Sequence, residues 1–348
     1  MRHVLLFSTD TDDGVVSVVA KTGSGEHRPL KQIRVGNAPR GGVKFTRDGR
    51  GFVCNTSQNT ISEIDPVALV EVRRIEVGHG PRGLGIVPGG RYALVSNSGS
   101  DTISIVDLER NVELRQLHAG RDPRHMIITP DGRFAYVCIW GEGYICKLDL
   151  AGLANGAAEQ VTQVAQIAIH PEAHPYSANI DPSGRRVFVA NTQAKFASVV
   201  DVATDKVQHI DLGYIGGRAV AFTPDGRYAL ITVETMNRAY VLDVDSLKVT
   251  RFIPVGPGPR GLVVDGVDGT AYITNFDRNS PNFAGAPDYG PNALTMVDLK
   301  SAPLDRAEGS FAYQPVPVGY GPCSVVMFDL NTLPEEERGR RLEYVDAR

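Results

Sequence analysis

The chain has 348 residues, of which 42% are hydrophobic and 22% charged, with 37 Gly and 22 Pro. This composition is rich in turn formers and provides enough apolar residues for a large core, as in a globular protein. The length would fit two average domains, although repeat and all-β proteins of this size often form one. The formal net charge of -4 argues against binding to nucleic acid or to an anionic membrane, because both favour a basic surface.

The N-terminal segment and the cysteines together favour a cytoplasmic location. Residues 1–7 contain only a short apolar run, whereas a secretory signal needs a longer apolar core. No stretch of the sequence is long and apolar enough to predict a transmembrane helix. The cysteines lack the C-x-x-C spacing of a zinc site or a redox motif and are too few for a disulfide scaffold. They are Cys54, Cys138, Cys146 and Cys323.

A short motif, Pro-Arg-Gly or a close variant, recurs along the chain. Its arginines are evenly spaced, since the intervals from 40 to 82, from 82 to 124 and from 218 to 260 are each 42 residues. This period is typical of a four-stranded blade in a β-propeller. The arginines are Arg40, Arg82, Arg124, Arg218 and Arg260.

Each repeat predicts four strands in the same order. The strand that begins at Pro-Arg comes first, and a turn pair such as Asp131-Gly132 then predicts a hairpin, since glycine tolerates positive φ. A β-rich second strand follows, as in residues 92–97, then a third that ends in Asp, as in residues 102–107, and a fourth that ends near a glycine. The predicted fold is all-β, a seven-bladed β-propeller with four-stranded antiparallel blades.

The two ends of the chain are predicted to complete each other. The N-terminal strands lack a first strand, and the C-terminal strand lacks the other three. Together they would form a seventh blade that closes the ring and hides both sheet edges. The prediction is one propeller domain over 1–348, with blade 7 from 3–36 plus 322–330, blade 1 from 39–78, blade 2 from 81–120, blade 3 from 123–170, blade 4 from 174–213, blade 5 from 216–256, blade 6 from 259–319 and a tail from 331–348.

Several strands resemble those of the YVTN-repeat propeller family, and this resemblance covers nearly the whole chain. It is carried by Phe52-Val53-Cys54-Asn55, by Tyr272-Ile273-Thr274-Asn275 and by the Thr-Ile-Ser-x-Ile-Asp strands. The segment from His174 to Pro182 is similar to a stretch of the seven-bladed lactonase family. That family includes phosphogluconolactonases and carboxymuconate-cyclising enzymes, so the resemblance implies chemistry on lactones.

The arginines are expected to converge on one mouth of the central channel. In a propeller the innermost strands line the channel, and the arginines begin those strands. Tyr176 and Cys323 occupy the two remaining blade positions. Guanidinium groups bind carboxylate or phosphate through paired hydrogen bonds, so we expect a small carboxylated ligand. In the alternative, each arginine has only a structural role and pairs with a neighbouring blade.

The loops that follow the second strands should form the rim of this mouth. Glu234 stands out because other blades carry Asn at or near its position, and we expect it to act as general base, with Arg218 and Arg260 anchoring the anion. In the lactonase family an arginine on the innermost strand is followed by a glutamate after the second strand, so the resemblance implies that Arg218 and Glu234 form an active-site pair. The expected rim is Asp10, Asn55, Asn97, Trp140, Glu142, Asn191, Glu234, Asn275, Phe276 and Asp277.

Two histidines on this face are candidate acids. His125 and His174 would titrate near neutrality, although they could instead be solvated loop histidines. The lactonase family commonly has two histidines one residue apart here. This chain has Tyr176 in place of the second, a departure that argues against simple lactone hydrolysis, and Tyr176 could donate to a developing oxyanion. The expected substrate contacts are Arg40, Arg82, Arg124, Arg218, Arg260, Trp140, Glu142 and Cys323.

These features predict an enzyme that acts on a small carboxylated substrate by acid and base catalysis, through lactone hydrolysis, cyclisation or isomerisation. No cofactor is expected, although Asn and carboxylate oxygens in the channel could hold a divalent metal. The alternative is a non-catalytic propeller that binds a ligand or a protein partner, which the repetitive Asn rim favours. The insertion at 276–292 is predicted to be a lid or a partner contact.

Overall fold

A computed structural model describes residues 3–22, 25–276 and 292–333. Within these segments the strands form seven four-stranded sheets, and every neighbouring pair is antiparallel. The remaining helical structure is four short 3-10 helices at Ala151–Asn155, Ala158–Gln160, Glu234–Met236 and Leu330–Thr332. Across the described segments, no helix has the length and apolar character needed to cross a bilayer. Most of the predicted lid (277–291) and of the predicted tail (334–348) lies outside the described residues.

The strands follow the predicted blade order along the chain. Blade 7 begins with β1 (Val4–Asp10), β2 (Val15–Lys21) and β3 (His27–Arg34). Blade 1 has β4 (Pro39–Phe45), β5 (Gly51–Asn55), β6 (Thr60–Asp65) and β7 (Val70–Glu76). Blade 2 has β8 (Pro81–Ile86), β9 (Tyr92–Asn97), β10 (Thr102–Asp107) and β11 (Val112–His118). Blade 3 has β12 (Pro123–Ile128), β13 (Phe134–Ile139), β14 (Tyr144–Asp149) and β15 (Thr162–Ala168).

The second half of the ring repeats this pattern. Blade 4 has β16 (Pro175–Ile180), β17 (Arg186–Asn191), β18 (Phe196–Asp201) and β19 (Val207–Asp211). Blade 5 has β20 (Gly217–Phe222), β21 (Tyr228–Val233), β22 (Arg238–Asp243) and β23 (Lys248–Pro254). Blade 6 has β24 (Pro259–Val264), β25 (Thr270–Asn275), β26 (Ala293–Asp298) and β27 (Ala312–Pro317), and blade 7 ends with β28 (Pro322–Asp329).

The ring closes as the sequence predicts. The sheet of blade 7 has the strand order β28-β1-β2-β3, with Val4 opposite Asp329 and Phe7 opposite Val326. The innermost strands contact their neighbours around the whole circle, from β4 to β8 and onward to β28, which contacts β4. The seven-bladed fold is therefore confirmed, and the pairing leaves neither chain end with an open inner edge.

The hydrophobic core lies between the blades. The middle strands are buried on both faces, as in β9, where all residues from Tyr92 to Asn97 are buried, whereas the outermost strands such as β7 are mostly exposed. Burial on both faces explains why the second strands read as continuous β-rich runs rather than as alternating patterns. The cysteines are free and buried.

In four blades the second strand ends in an asparagine that is buried within the blade, which corrects the expected place of these asparagines on the rim. Asn55 Nδ2 donates to Ser62 Oγ at 2.7 Å, and Asn97 Nδ2 donates to Ser104 Oγ at 2.7 Å. In blade 7 the same place is taken by Asp10, which is also fully buried. These residues hold the third strand against the second and leave the residue that follows them to face the channel mouth.

Candidate functional site

A hollow cavity runs along the central channel. Its volume is about 230 Å³, which is room for roughly seven water molecules at about 30 Å³ each. We call it the channel cavity. Its mouth is lined by Tyr176, Arg218, Arg260 and Cys323, and its interior by residues that include Lys44, His125, Ile127, Asn179, Val263 and Val326. The described side chains therefore leave the channel open for a small molecule.

A second cavity of about 510 Å³ lies on the same face, beside blades 1 to 4. We call it the mouth cavity, and Arg82, Trp140 and His174 line it. Arg124 lies between the two cavities, because its Cζ is 4.8 Å from the ring centre of Trp140 and 5.9 Å from that of Tyr176. Arg124 thus lies beside a residue of each cavity, Trp140 of the mouth cavity and Tyr176 of the channel cavity.

Glu234 bridges two of the ring arginines. Arg218 Nε donates to Oε2 at 2.6 Å and Arg260 Nε donates to Oε1 at 2.7 Å. Burial alone would raise the pKa of this carboxyl, but the charges of Arg218 and Arg260 outweigh it, and the pKa of Glu234 lies below its usual value. A general base working near neutrality needs the opposite shift. The ion pairs and the lowered pKa argue against Glu234 as general base, a role that stays a prediction, whereas the contact between Arg218 and Glu234 is formed.

The strand register also corrects the comparison that singled out Glu234. Pro81 pairs with Asn97, and Gly217 pairs with Val233, so Val233 and not Glu234 takes the asparagine position in blade 5. Glu234 stands one residue later. In the other blades its place is taken by Thr11, Thr56, Ser98, Trp140, Thr192 and Phe276.

This rim position differs between the two halves of the ring. In blade 1 the hydroxyl of Thr56 donates to the Pro81 carbonyl at 2.8 Å, and in blade 2 that of Ser98 donates to the Pro123 carbonyl at 2.6 Å. These small side chains join neighbouring blades and cover no arginine. In blade 6, by contrast, the ring of Phe276 lies 3.5 Å from the Cζ of Arg260. The rim therefore covers the arginines of blades 5 and 6 and leaves those of blades 1 and 2 uncovered.

Arg40, Arg82 and Arg124 form a second group in the ring; Arg124 lies against the ring of Trp140, whereas no rim side chain of blades 1 and 2 covers Arg40 or Arg82. The buried Nε of each has no hydrogen-bond partner among the described residues. One acid joins this group, Asp122, whose Oδ2 accepts from Arg124 at 2.5 Å. Burial lowers the pKa of Arg82 to about 10, and the charges of Arg124 and Arg40 act in the same direction. The excess positive charge thus lies on blades 1 to 3, because Glu234 neutralises Arg218 and Arg260 in part, and the anchoring of an anion by these two arginines stays a prediction.

His125 is a half-buried residue that lines the channel cavity. Burial is the main cause that lowers its pKa to about 3, and the charges of Lys44, Arg124, Arg82 and Arg40 lower it further. The expectation that His125 titrates near neutrality is therefore wrong. An imidazole with this pKa carries no proton to donate as an acid at neutral pH.

His174 has a defined tautomer. Its Nδ1 lies 2.8 Å from the Trp140 carbonyl oxygen, which can only accept, so Nδ1 carries a hydrogen and, in the neutral ring, Nε2 is the acceptor. Its ring packs at 4.2 Å from that of Trp140, whose Nε1 donates to Thr192 Oγ1 at 3.0 Å. Trp140 is held in place by these contacts and by Arg124, while His174 presents a proton acceptor to the mouth cavity.

The other predicted site residues divide between the two cavities. Tyr176 lines the channel cavity, where its ring is 4.8 Å from the Cζ of Arg218 and 5.0 Å from the ring of His125. Cys323 lines the same cavity with a buried thiol. Glu142 lines neither cavity, because its Oε2 accepts from the Arg121 backbone N–H at 3.1 Å. Its expected substrate contact is therefore corrected.

Lys44 is the site residue that sequence reasoning missed. It lies on β4 and lines the interior of the channel cavity. It is the only lysine in the seven innermost strands. This exception to the repeat is the feature of the sequence that could have identified Lys44 as a site residue.

A divalent metal in the channel stays a prediction. In the described part of the chain, no group of three or more His, Cys, Asp or Glu side chains is arranged to hold a metal ion. The cavities are instead surrounded by guanidinium and ammonium groups, which repel cations and attract anions.

Comparison with known proteins places this site in a family context. The family model described as "Lactonase, 7-bladed beta-propeller" matches residues 83–252, a little under half of the chain. The matched segment includes Arg124, His174, Tyr176, Arg218 and Glu234, and it excludes Arg40, Lys44 and Arg260. No curated protein sequence matches the chain.

Solved structures share the fold at low sequence identity. The periplasmic gluconolactonase of Pseudomonas aeruginosa is 16% identical with a TM-score of 0.76, covering 93% of this chain and 99% of that one. A protein from Lactobacillus plantarum is 13% identical with a TM-score of 0.76, covering 94% and 100%. Hydrazine synthase of Kuenenia stuttgartiensis is 20% identical with a TM-score of 0.66, covering 83% and 90%. At these identities the likeness concerns the fold alone, and one fold serves different activities.

The resemblance to the YVTN-repeat propellers stays a prediction. The resemblance to the seven-bladed lactonase propellers is confirmed, and over residues 83–252 the chain is similar to that family.

Proposed function

We propose that this protein is a lactonase-type enzyme whose substrate is a small carboxylated lactone bound at the channel mouth. The observation that carries the proposal is the group of Arg40, Arg82 and Arg124, whose buried Nε atoms have no partner among the described residues. A buried N–H without an acceptor is costly, and a carboxylate ligand would supply the acceptors that these Nε atoms lack. Arg82 lines the mouth cavity and is the first anchor in this scheme.

The remaining residues supply the parts of an ester-opening reaction. Arg218 and Arg260 line the channel cavity, and Glu234 holds both side chains, so their remaining N–H groups can stabilise the oxyanion of a tetrahedral intermediate. Glu234 is a positioning residue in this scheme. Its role does not require it to accept a proton.

His174 is the proton acceptor in this proposal. Its Nε2 takes a proton from a water molecule while the water oxygen bonds to the lactone carbonyl carbon. When the ring C–O bond breaks, His174 returns the proton to the leaving alkoxide. The product is an open hydroxy acid with one new carboxylic acid group, which loses its proton to the solvent near neutral pH. The positive charge of Arg40, Arg82 and Arg124 would favour the carboxylate that results.

Two observations outside the site support the proposal. The match to the lactonase family covers the segment that contains His174, Arg218 and Glu234. The channel cavity of about 230 Å³ is the right size for a small metabolite rather than for a polymer. A cytoplasmic location is part of the proposal and is supported by the free, buried thiols, which need no oxidising compartment.

The test is a hydrolysis assay on carboxylated lactones of five- and six-membered rings. Arg82→Gln removes a charge-assisted contact worth about 1.5–3 kcal/mol, so kcat/KM should fall by roughly 10- to 150-fold, mainly through KM. His174→Gln should lower kcat by about 100-fold or more with little change in KM. Arg47→Gln, an exposed arginine in the turn on the opposite face, is the matched control and should change neither constant.

A binding function without catalysis is the second candidate. Two of the predicted acids and bases are poorly suited to proton transfer, because Glu234 is held in ion pairs and the pKa of His125 is about 3. Among the predicted acids and bases, this leaves His174 to transfer a proton. Calorimetric titration with malonate separates the two. Binding that depends on Arg82 without turnover of any lactone would establish the binding function, and absence of both would overturn the anion site itself.

A further inference from the structure

Lys44 occupies an irregular place in the innermost strand of blade 1. Arg40 pairs with Cys54 and Lys44 pairs with Phe52, so the three residues from Gly41 to Val43 face one residue of β5. In blade 2 the corresponding strand has less excess length, since Pro81 pairs with Asn97, Gly83 with Ser96 and Gly85 with Leu94. The larger bulge in β4 shifts the pairing of Lys44 with the neighbouring strand by one residue, compared with the residue at the same distance from the arginine in blade 2. Because successive side chains of a strand point to opposite faces, a one-residue shift decides which way a side chain faces.

Two glycines make the bulge sterically feasible. Gly41 and Gly42 have φ values of +81° and +70°, in the region that other residues rarely adopt. A Cβ on Gly41 would contact the Arg82 carbonyl oxygen, and a Cβ on Gly42 would lie 2.8 Å from Ser324 Oγ. The bulge is therefore packed tightly against blades 2 and 7, and it holds Lys44 in the channel.

The amine of Lys44 has no anionic partner in the segments that the structure describes. No hydrogen bond or ion pair joins it to any described side chain, and apolar residues such as Ile127, Val263 and Val326 line the same cavity. Burial lowers the pKa of Lys44, and the thiol of Cys54 opposes this only in part. The charges of Lys44, Arg124, Arg82 and Arg40 all act on His125, so Lys44 belongs to the same group of cations around the channel. A lysine amine with apolar neighbours and without an anion beside it is suited to bond to a carbonyl carbon.

We propose that Lys44 forms a reversible imine with the carbonyl carbon of a small oxo acid whose carboxylate lies at the ring arginines. The idea rests on the proposed anion site and adds a covalent centre inside the channel. It also names a further ligand class, a carboxylate that bears an aldehyde or ketone. The cavity that contains Lys44 is the one whose mouth Arg218, Arg260 and Tyr176 line, so one small molecule can reach both groups.

The step is balanced without any other reactant. The neutral Nζ bonds to the carbonyl carbon, and one of its protons moves to the carbonyl oxygen to give a carbinolamine. The second proton and the hydroxyl group then leave as water when the C=N bond forms. No electrons are gained or lost, and water reverses the reaction.

The experiment is reductive trapping on the intact protein. The wild-type chain is mixed with 2-oxoglutarate and sodium cyanoborohydride, and the adduct is located by intact mass and peptide mapping. We expect one adduct per chain at Lys44, lost in Lys44→Met and kept in Lys206→Met, an exposed lysine that serves as the matched control. Excess malonate should slow the trapping at least tenfold, and it should not slow the trapping of propionaldehyde, which has no carboxylate.

The outcomes separate this inference from the proposed function. If malonate binds and depends on Arg82, but 2-oxoglutarate is not trapped at Lys44 or labels surface lysines equally, the imine is overturned and the anion site stands. If malonate does not bind, the proposed function fails. If propionaldehyde is then trapped only at Lys44, Lys44 has a reactive amine but lacks the proposed specificity for oxo acids. The thermal unfolding midpoint of Lys44→Met shows whether that variant is folded, and the wild-type peptide map decides the question even if it is not.

Discussion

Replacing Glu234 by glutamine separates a positioning role from a proton-transfer role. The substitution keeps the volume of the side chain and removes its charge. Two guanidinium groups, those of Arg218 and Arg260, then lose the anion between them. An amide oxygen can still accept one of the two hydrogen bonds, but its NH2 group faces a donor in the other.

The structure sets the size of the effect. The side chains of Glu234, Arg218 and Arg260 are 21%, 20% and 16% exposed. Removing one partner of a fully buried ion pair costs about 3–5 kcal/mol, and water that reaches a fifth of each side chain reduces this figure. We therefore expect Glu234→Gln to lower the free energy of unfolding by about 2–3 kcal/mol.

The same substitution should strengthen anion binding. It removes one negative charge beside the ring and frees N–H groups of two arginines, so malonate should bind several-fold more tightly. Turnover of a carboxylated lactone should fall, because Arg218 and Arg260 are no longer held in one orientation.

Urea unfolding followed by circular dichroism measures the stability, and titration calorimetry measures malonate binding. Glu172→Gln, an exposed glutamate near the same face, is the matched control and should change stability by less than about 0.5 kcal/mol. Repeat proteins can unfold in stages, so the urea m-value of the variant is also measured. An m-value equal to that of the wild type shows that both proteins unfold in the same way. Unchanged stability together with weaker malonate binding would refute the bridging role of Glu234 and restore it as a direct ligand contact.

Three further substitutions test other features of the structure. Burial raises the pKa of Asp10 to about 6, above its usual 3.8. Between these two values the folded state keeps a proton that the unfolded state loses, so the free energy of unfolding should fall by on the order of 3 kcal/mol as the pH rises from 4 to 6. Asp10→Asn, which installs the residue found in four other blades, should abolish this slope in urea unfolding series, and an unchanged slope would assign the titration elsewhere. Gly42→Ala should lower the free energy of unfolding by about 2–4 kcal/mol in the same assay, because Gly42 has a φ of +70° and lies close to Ser324. The control Gly266→Ala, which has no atom within 4 Å of the added Cβ, should change this free energy by less than about 0.5 kcal/mol. The imidazole signals of His125 in NMR spectra should not shift between pH 8 and pH 5, since its pKa is about 3, and a midpoint between pH 5 and pH 7 would contradict its burial among the channel cations.

The sequence by itself determined the fold. The spacing of 42 residues between arginines, the Asp-Gly turns and the β-rich second strands are local patterns, and each blade is built almost entirely from contacts within one repeat. Ring closure also followed from the sequence, because β1 to β3 lacked the innermost strand that β28 supplies.

The tertiary structure decided which residues of the ring are free to act. Arg82 and Arg260 stand in equivalent sequence motifs, yet Arg260 is paired with Glu234 of the preceding blade while Arg82 has no such acid. The side-chain partners of a ring residue come from neighbouring blades and are set by strand register, which a repeat pattern does not specify.

Burial and register explain the other differences. His125 looks like a loop histidine in the sequence, but its strand carries it into the channel, where desolvation removes its charge near neutrality. A bulge in β4 brings Lys44 into the channel. This bulge adds one residue to β4, but the hairpin turn that follows is one residue shorter than in blade 2, so the repeat length does not reveal the bulge. The sequence determined the blades and the ring of arginines, and the packing of one blade against the next determined where the unpaired charge lies.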